Sequence, residues 1–301
     1  MRILITGATG YVGRNLMPEL HAVAAELLVV SRDVTTAQAL FPYAKHSQAG
    51  DWDAVKAFNP EIVLHLATLS TSSDADDIIL PMIEANITFG VKLLSALKAC
   101  DAMKLFVNVG SFAEYRLGVE KQKDAYLYTA TKSAFRHFVD YYADLGNYRY
   151  LTLVLYTVYG GVDLRKKIID YVFDALEANE PVKMTAGEQC LDFVHVSDVV
   201  AAMKQCVLQA NELSEQLPQG TEFHIGTGVG TTIRAMAEMV SEVTHKPLNV
   251  AWGALPYRPL DVMKAIAPVK QNNTLLQWKA KMSLVAGIQE KAHAILGTDL
   301  K

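Results

Sequence analysis

A chain of 301 residues that is 51% hydrophobic and 20% charged has room for one large or two modest domains around a sizeable core. Twenty-eight basic against thirty-two acidic residues leave a formal charge of −4 with no long run of either sign. That argues against a nucleic-acid protein held by a broad basic surface, and still permits small phosphate ligands bound by local N–H groups or single arginines.

Met1–Thr6 runs straight into a strand pattern, so no signal peptide is expected, and no apolar stretch of membrane-span length is apparent. Cys100, Cys190 and Cys206 have no CxxC or metal-ligand spacing and read as reduced thiols. The expectation is a cytoplasmic protein with no membrane or metal, and with the Asn86 sequon unglycosylated. Ile3–Ile5 is a short buried strand followed by Thr6 Gly7 Ala8 Thr9 Gly10 Tyr11 Val12 Gly13 and a helical pattern through Leu16, Leu20 and Val23. Glycines at this spacing allow a tight turn, close approach to a pyrophosphate and intimate helix–strand packing, with phosphates at the helix N-terminus. Gly7, Thr9, Gly10, Tyr11, Val12 and Gly13 are therefore candidate cofactor contacts. A Gly-rich turn without a ligand is the lesser reading.

A second strand, Leu27–Val30, ends at Ser31 Arg32 Asp33. An acidic residue at the strand end takes the ribose hydroxyls of NAD, whereas Ser31 and Arg32 suit a 2′-phosphate. NADP(H) is favoured; Asp33 keeps NAD(H) open. Gly50 Asp51 Trp52 reads as a loop after a weak third strand, placed to border an adenine. The buried strand Ile62–Ala67 brings the backbone of Leu66 and Ala67 beneath a cofactor, and His65 within it is a catalytic candidate or, more often in such strands, a hydrogen-bonded core residue. Helical periodicity runs from about Ile79 to Ala99 and carries Asn86. The strand Leu105–Val109 delivers Gly110, Ser111 and Phe112.

Next comes Tyr128 Thr129 Ala130 Thr131 Lys132. Residues four apart share a helix face, so a phenol and an ammonium point to one place, and the ammonium is expected to pull the phenol pKa toward working pH. Of the chain's 13 Tyr residues, Tyr128 alone has a Lys four positions on. The strand Tyr150–Tyr156 leads to Thr157 and Val158, further cofactor candidates. A helix near Lys166–Leu176, the segment Leu191–Val199, the strand Phe223–Ile225 and a helix from about Thr232 follow. Strands alternating with helices predict a parallel sheet with ligands beyond its carboxyl ends, where Gly7, Ser31, Ala67 and Ser111 all fall.

The glycine pattern, Asp51, Asn86, Ser111, Tyr128 with Lys132, Tyr159 Gly160 and Asp192–Val196 together resemble the extended short-chain dehydrogenase/reductase family, also called the NAD-dependent epimerase/dehydratase family. The resemblance covers nearly the whole chain. It implies an α/β fold, a Rossmann-type doubly wound parallel sheet over residues 1–160, with 191–210 and 221–230 returning to it. A smaller C-terminal α/β substrate domain would take 161–190 and 231–301. It also implies an NAD(P)-dependent oxidoreductase with a catalytic Ser111, Tyr128 and Lys132, Asn86 supporting a relay water, a nucleotide-sugar substrate and a homodimer. Dehydratases of the family carry Asp and Glu where Phe112 and Ala113 stand; epimerase-reductases carry Cys and His where Ala113 and Val162 stand. Ketone reduction remains.

Ile83–Asn86, Asp163–Lys167, Gly187–Gln189 with Leu191 Asp192, and Leu255–Pro259 are similar to the narrower group of CDP-abequose and CDP-paratose synthase-like 4-ketoreductases. Thr68, Ser70, Ser111, Phe112, Thr157, Lys167 and Arg258 are then the substrate contacts, with Arg258 either facing the phosphates or capping its loop. Leu191 and Thr157 depart from the Arg and Asn common in the wider family. A 4-epimerase that retains NAD, and a non-catalytic dinucleotide sensor, are the competing readings.

Overall fold

The computed structural model describes residues 1–161 and 165–297. Its first half contains β1 (Arg2–Thr6), α1 (Tyr11–His21), β2 (Glu26–Ser31), α2 (Val34–Leu40), β3 (Lys45–Gln48), α3 (Trp52–Phe58) and β4 (Ile62–His65). Then come α4 (Asp76–Ile83), a π-helical turn (Glu84–Thr88), α5 (Phe89–Leu97), β5 (Leu105–Ser111), α6 (Leu127–Gly146) and β6 (Arg149–Leu155). The second half holds β7 (Thr157–Tyr159), α7 (Ile168–Asp174), β8 (Val182–Lys183), β9 (Cys190–His195), α8 (Val196–Leu208), α9 (Ala210–Gln216) and β10 (Thr221–Ile225). It closes with β11 (Gly230–Thr232), α10 (Ile233–Thr244), β12 (Val250–Ala251), β13 (Lys264–Ala265), α11 (Lys270–Thr274) and α12 (Leu284–Leu296).

Seven strands form one wholly parallel sheet in the order β10-β6-β5-β4-β1-β2-β3. Alternate residues of each strand face opposite sides, so Ile3, Ile5, Val29 and Leu64 pack with Leu16, Met17 and Leu20 of α1. On the other side Leu4, Leu28, Val63 and Phe106 pack with Leu93, Leu94 and Leu97 of α5 and Phe135 and Val139 of α6. Helices on both faces explain why the central strands β1, β2 and β4 are apolar at most positions. Chain order reverses between β1 and β4, and that switch opens the crevice where such sheets take ligands.

Three expectations change here. The predicted loop at Gly50–Trp52 is the start of α3, whose N-cap Asp51 accepts from the Ala54 N–H at 3.1 Å. The single helix expected over Ile79–Ala99 is two α-helices joined through the π turn that carries Asn86. That helical run, Asp76–Leu97, spans 22 residues and is by length and composition long and apolar enough to cross a membrane, contrary to the sequence expectation. In the fold its Met82, Leu93, Leu94 and Leu97 are buried.

The segment Asp192–Val196 serves architecture. Asp192, fully buried, accepts from the Thr227 N–H (2.8 Å), the Thr227 hydroxyl (2.7 Å), the Gly228 N–H (2.8 Å) and the Ala267 N–H (3.1 Å). Asp198 accepts from the Lys281 and Met282 N–H groups. Replacing Asp192 with Ala strands these donors in the interior, and thermal unfolding should report a loss of about 3 kcal/mol.

Candidate active site

At the crevice, Gly7 has φ +73° and a Cβ placed on it would lie 2.6 Å from the backbone of Leu66 and Ala67. A Cβ on Gly13 would lie 2.3 Å from the Gly7 carbonyl oxygen. Both glycines are thus required by backbone-to-backbone approach. The Gly10 N–H donates to the Gly7 carbonyl at 3.0 Å, and Arg14 Nε donates to the Thr9 carbonyl at 2.8 Å, which closes the loop. Gly10, the N-cap of α1, offers no side chain to the first-turn N–H groups of Tyr11, Val12 and Gly13, and no acidic residue occupies that turn. Such a helix start suits an anion cradle. The Tyr11 side chain turns away from it and donates to the Gly160 carbonyl at 2.7 Å, so its place in the cradle is through its backbone. Beneath, Thr6 Oγ1 accepts from the Ala67 N–H (3.1 Å) and meets His65 Nδ1 at 2.9 Å. Burial first and Lys132 second push the His65 pKa down to about 3, so the imidazole is neutral among Phe89, Phe106 and Phe135. The core reading of His65 holds.

At the end of β2 the Ser31 hydroxyl lies against the backbone of Asp33 and Arg32 is exposed. Both Asp33 carboxylate oxygens are taken by Thr36, one by its N–H (2.9 Å) and one by its hydroxyl, which lowers the Asp33 pKa. Trp52 packs its ring near Phe89 beside this edge.

Tyr128 and Lys132 sit one turn apart at the start of α6. The Tyr128 hydroxyl faces Ser70 and Thr68, and the phenol is half-buried. Burial and the nearby Glu114 carboxylate push its pKa up to about 12. This reverses the expected sign: Lys132 was to lower that pKa, but loss of hydration and a buried anion dominate. Lys132 is 4% exposed, and its ammonium has no hydrogen-bond partner among the described residues. Burial pushes its pKa down to about 8, with Glu114 opposing the fall. The Thr157 hydroxyl is buried without a partner among the described residues. The uncapped start of α1, the glycine clearances, the buried Lys132 and the unpartnered Thr157 hydroxyl fit a dinucleotide.

Ser111 ends β5 and, with Glu114, forms a reciprocal cap: its hydroxyl accepts from the Ala113 N–H (3.3 Å), while Glu114 accepts from the Ser111 N–H (2.6 Å). Asn86, also buried, uses all four of its side-chain hydrogen-bonding positions on protein: Thr68 hydroxyl (3.0 Å), Leu69 N–H (2.7 Å), Leu69 carbonyl (3.1 Å) and Thr131 hydroxyl (2.9 Å). Its side chain has no position left for a relay water and pins the Thr68–Leu69 loop to the helix of Tyr128 and Lys132.

Among the substrate candidates, Phe112 stacks on Tyr156 at 5.8 Å. Lys167 lies 3.6 Å above the Tyr11 ring and donates to the Val158 carbonyl at 3.3 Å. Arg258 is exposed and reaches the Tyr126 phenol, which also donates to Asp261. The predicted resemblance at Val162, Asp163 and Leu164 lies outside the described residues. Sequence reasoning missed Glu114 and Arg136. Glu114 is fully buried and Arg136 Nε donates to it at 2.8 Å. The available signal was Ser-x-x-Glu, a capping-box spacing.

A family profile, the NAD dependent epimerase/dehydratase family, matches residues 3–226. The chain is 29% identical over 267 residues to a CDP-abequose synthase of Yersinia pseudotuberculosis, covering 87% of this chain and 91% of that protein. It is 28% identical to the CDP-abequose synthase of Salmonella typhimurium, covering 96% of each. Among solved structures, UDP-glucose 4-epimerase from Thermotoga maritima superposes with a TM-score of 0.80 at 23% identity, covering 96% of both chains. UDP-glucuronic acid 4-epimerase from Bacillus cereus, solved with UDP-glucuronic acid and NAD, gives 0.81 at 20%, covering 96% of this chain and 97% of that one. With a profile match across more than half its length, this chain belongs to the NAD dependent epimerase/dehydratase family, as an NAD(P)-dependent oxidoreductase.

Proposed function

We propose that this protein reduces the 4-keto group of a CDP-linked deoxyhexose at the expense of NADPH. One observation carries the reading: a protonated phenol, Tyr128, shares a helix face with a buried ammonium, Lys132, that has no hydrogen-bond partner among the described residues. A bound nicotinamide supplies the hydride. Tyr128 donates the proton to the ketone oxygen, Ser111 orients that oxygen, and Lys132 holds the nicotinamide ribose. Phe112, stacked on Tyr156, and buried Ala113 carry no acid or base at the two positions that follow Ser111, which favours plain reduction over dehydration or ring epimerisation. The CDP-abequose synthase relatives support a CDP-linked sugar.

The substrate-binding part comprises residues 161–190 and 231–301, with Arg258 on the phosphates. NADP(H) is chosen over NAD(H) because the Asp33 carboxylate is spent on capping α2 while Ser31 and Arg32 stand at the strand end. The homodimer forms through α4 and α6, whose Leu80, Phe138, Tyr141 and Leu145 are exposed. Free thiols suit the cytoplasm. Thermal-shift measurements with NADPH, NADH, CDP, GDP, UDP and dTDP test the ligand choices. NADPH and CDP together should give the largest shift, and Arg32→Ala should weaken NADPH about tenfold while sparing NADH. Equal losses for both cofactors, or a larger shift with another nucleotide, would refute the choice.

A further inference from the structure

The helix that carries Tyr128 and Lys132 continues the same stripe one turn on with Arg136, so two cations and a phenol line one face. The anion they meet comes from a different element. Glu114, with no exposed surface, accepts from the Ser111 N–H (2.6 Å), Arg136 Nε (2.8 Å) and Gln122 Nε2 (3.3 Å). Arg136 in turn pairs with Glu222, which accepts from the Tyr115 hydroxyl and lies 3.7 Å from His224. A Cβ on Gly110 would lie 2.7 Å from Arg136 Nη2 and 2.8 Å from Glu114 Oε1, so glycine there is what lets the ion pair close against β5. No step of the proposed reduction uses this pair, yet it is buried directly behind the reacting groups.

We propose that Glu114 is the positioning residue of this site: it fixes Ser111 through its backbone N–H and supplies the negative charge against which Tyr128 and Lys132 hold their protons. The proposal rests on the triad reading above. The groups facing Tyr128 are Thr68, Ser70, Lys132 one turn on and Glu114; those facing Glu114 are Ser111, Gln122, Lys132, Arg136 and Tyr128. Of these, Glu114 is the acidic group: burial raises its own pKa, while the Arg136 guanidinium at 2.8 Å and the Ser111 N–H at 2.6 Å favour its carboxylate, and in that form it acts in one direction on both acids. It raises the Tyr128 phenol, after burial, and it offsets the burial that lowers Lys132. Removing its charge must therefore lower both pKa values. Glu222 pairs with Arg136 and is partly exposed, and Glu114, not Glu222, is the carboxylate that acts on Tyr128 and Lys132.

The test is an ultraviolet difference titration of tyrosinate in the full chain, with no cofactor or substrate, each protein read against its own Tyr128→Phe counterpart. Glu114→Gln should show roughly tenfold more Tyr128 phenolate than wild type at about pH 10, a shift of about one pH unit. Glu114→Asp, which keeps the carboxylate, and Glu222→Gln should both stay within about threefold of wild type. A natively folded Glu114→Gln with an unmoved titration overturns the proposal. Should that variant not fold, wild type decides: Tyr128 must ionise above about 10, the ordinary phenol value, and a midpoint at or below it overturns the proposal equally. In turnover assays the alkaline limb should move to lower pH in Glu114→Gln. A shifted titration without turnover on any nucleotide sugar would remove the reductase reading and leave the Glu114 assignment standing; turnover with an unshifted titration would do the opposite.

Discussion

Tyr128→Phe lowers turnover by about 10²–10⁴-fold and leaves NADPH binding within about twofold of wild type. The phenyl ring keeps the packing of the half-buried side chain and removes only the hydroxyl that faces Thr68 and Ser70. Lys132 retains its place, so the cofactor site is intact. With the phenol pKa at about 12, Tyr128 carries its proton throughout the neutral range, as a donor to an oxygen gaining charge must. The alkaline fall in activity belongs instead to Lys132, whose ammonium is lost near pH 8. The sign follows directly: burial depresses this cation, activity needs the charged form, and rising pH removes it. Stopped-flow oxidation of NADPH in wild type and Tyr128→Phe, across pH, reads both effects. A variant with wild-type rates contradicts the assignment.

Gly7→Ala destabilises the fold by about 3 kcal/mol and abolishes dinucleotide binding. The residue has φ +73°, a region where a side chain is strained, and the added methyl meets the backbone of Leu66 and Ala67 at 2.6 Å. No flexible side chain is there to yield. Relief requires β1 and the chain leaving β4 to part, and that gap is the floor of the crevice. A melting curve with and without NADPH measures both consequences: a lower midpoint in the free protein, and no rise on adding cofactor. A Gly7→Ala protein that NADPH still stabilises would contradict the placement of the cradle.

The contrast between what the residues announced and what they concealed is physical. Gly7, Gly10 and Gly13 were legible because close backbone approach can be met in few ways, and the strand before and helix after fixed their context. The Tyr128–Lys132 pair was legible because helical spacing alone puts the two side chains on one face. Strand alternation with helices gave the parallel sheet. What escaped depends on distant parts of the chain. The rise of the Tyr128 pKa comes from burial and from Glu114, with Ser70 and Thr68 opposing it, none of these residues adjacent in sequence. Asn86 is saturated by Thr68, Leu69 and Thr131, contributed by three segments, so its positioning role could not be read from position 86 alone. Helix α3 was overlooked because seven residues give too few turns for a periodic signal. Asp33, read as a ribose ligand candidate, caps α2, a role its spacing to Thr36 fits equally well.

The relation between Tyr128 and Ser111 is indirect in the same way. Ser111 closes β5, Glu114 binds its backbone, and the same carboxylate faces the phenol and the ammonium. One buried side chain thus connects the strand that ends at Ser111 with the helix that carries Tyr128 and Lys132.

The most direct measurement is the fate of the label when NADPH deuterated at the transferring position of the nicotinamide is incubated with the full chain and a CDP-4-keto-deoxyhexose. The account predicts one equivalent of NADPH oxidised per sugar and deuterium at C4 of the product by NMR. Interconversion of C4 epimers with no net NADPH oxidation and no deuterium in the sugar would contradict it.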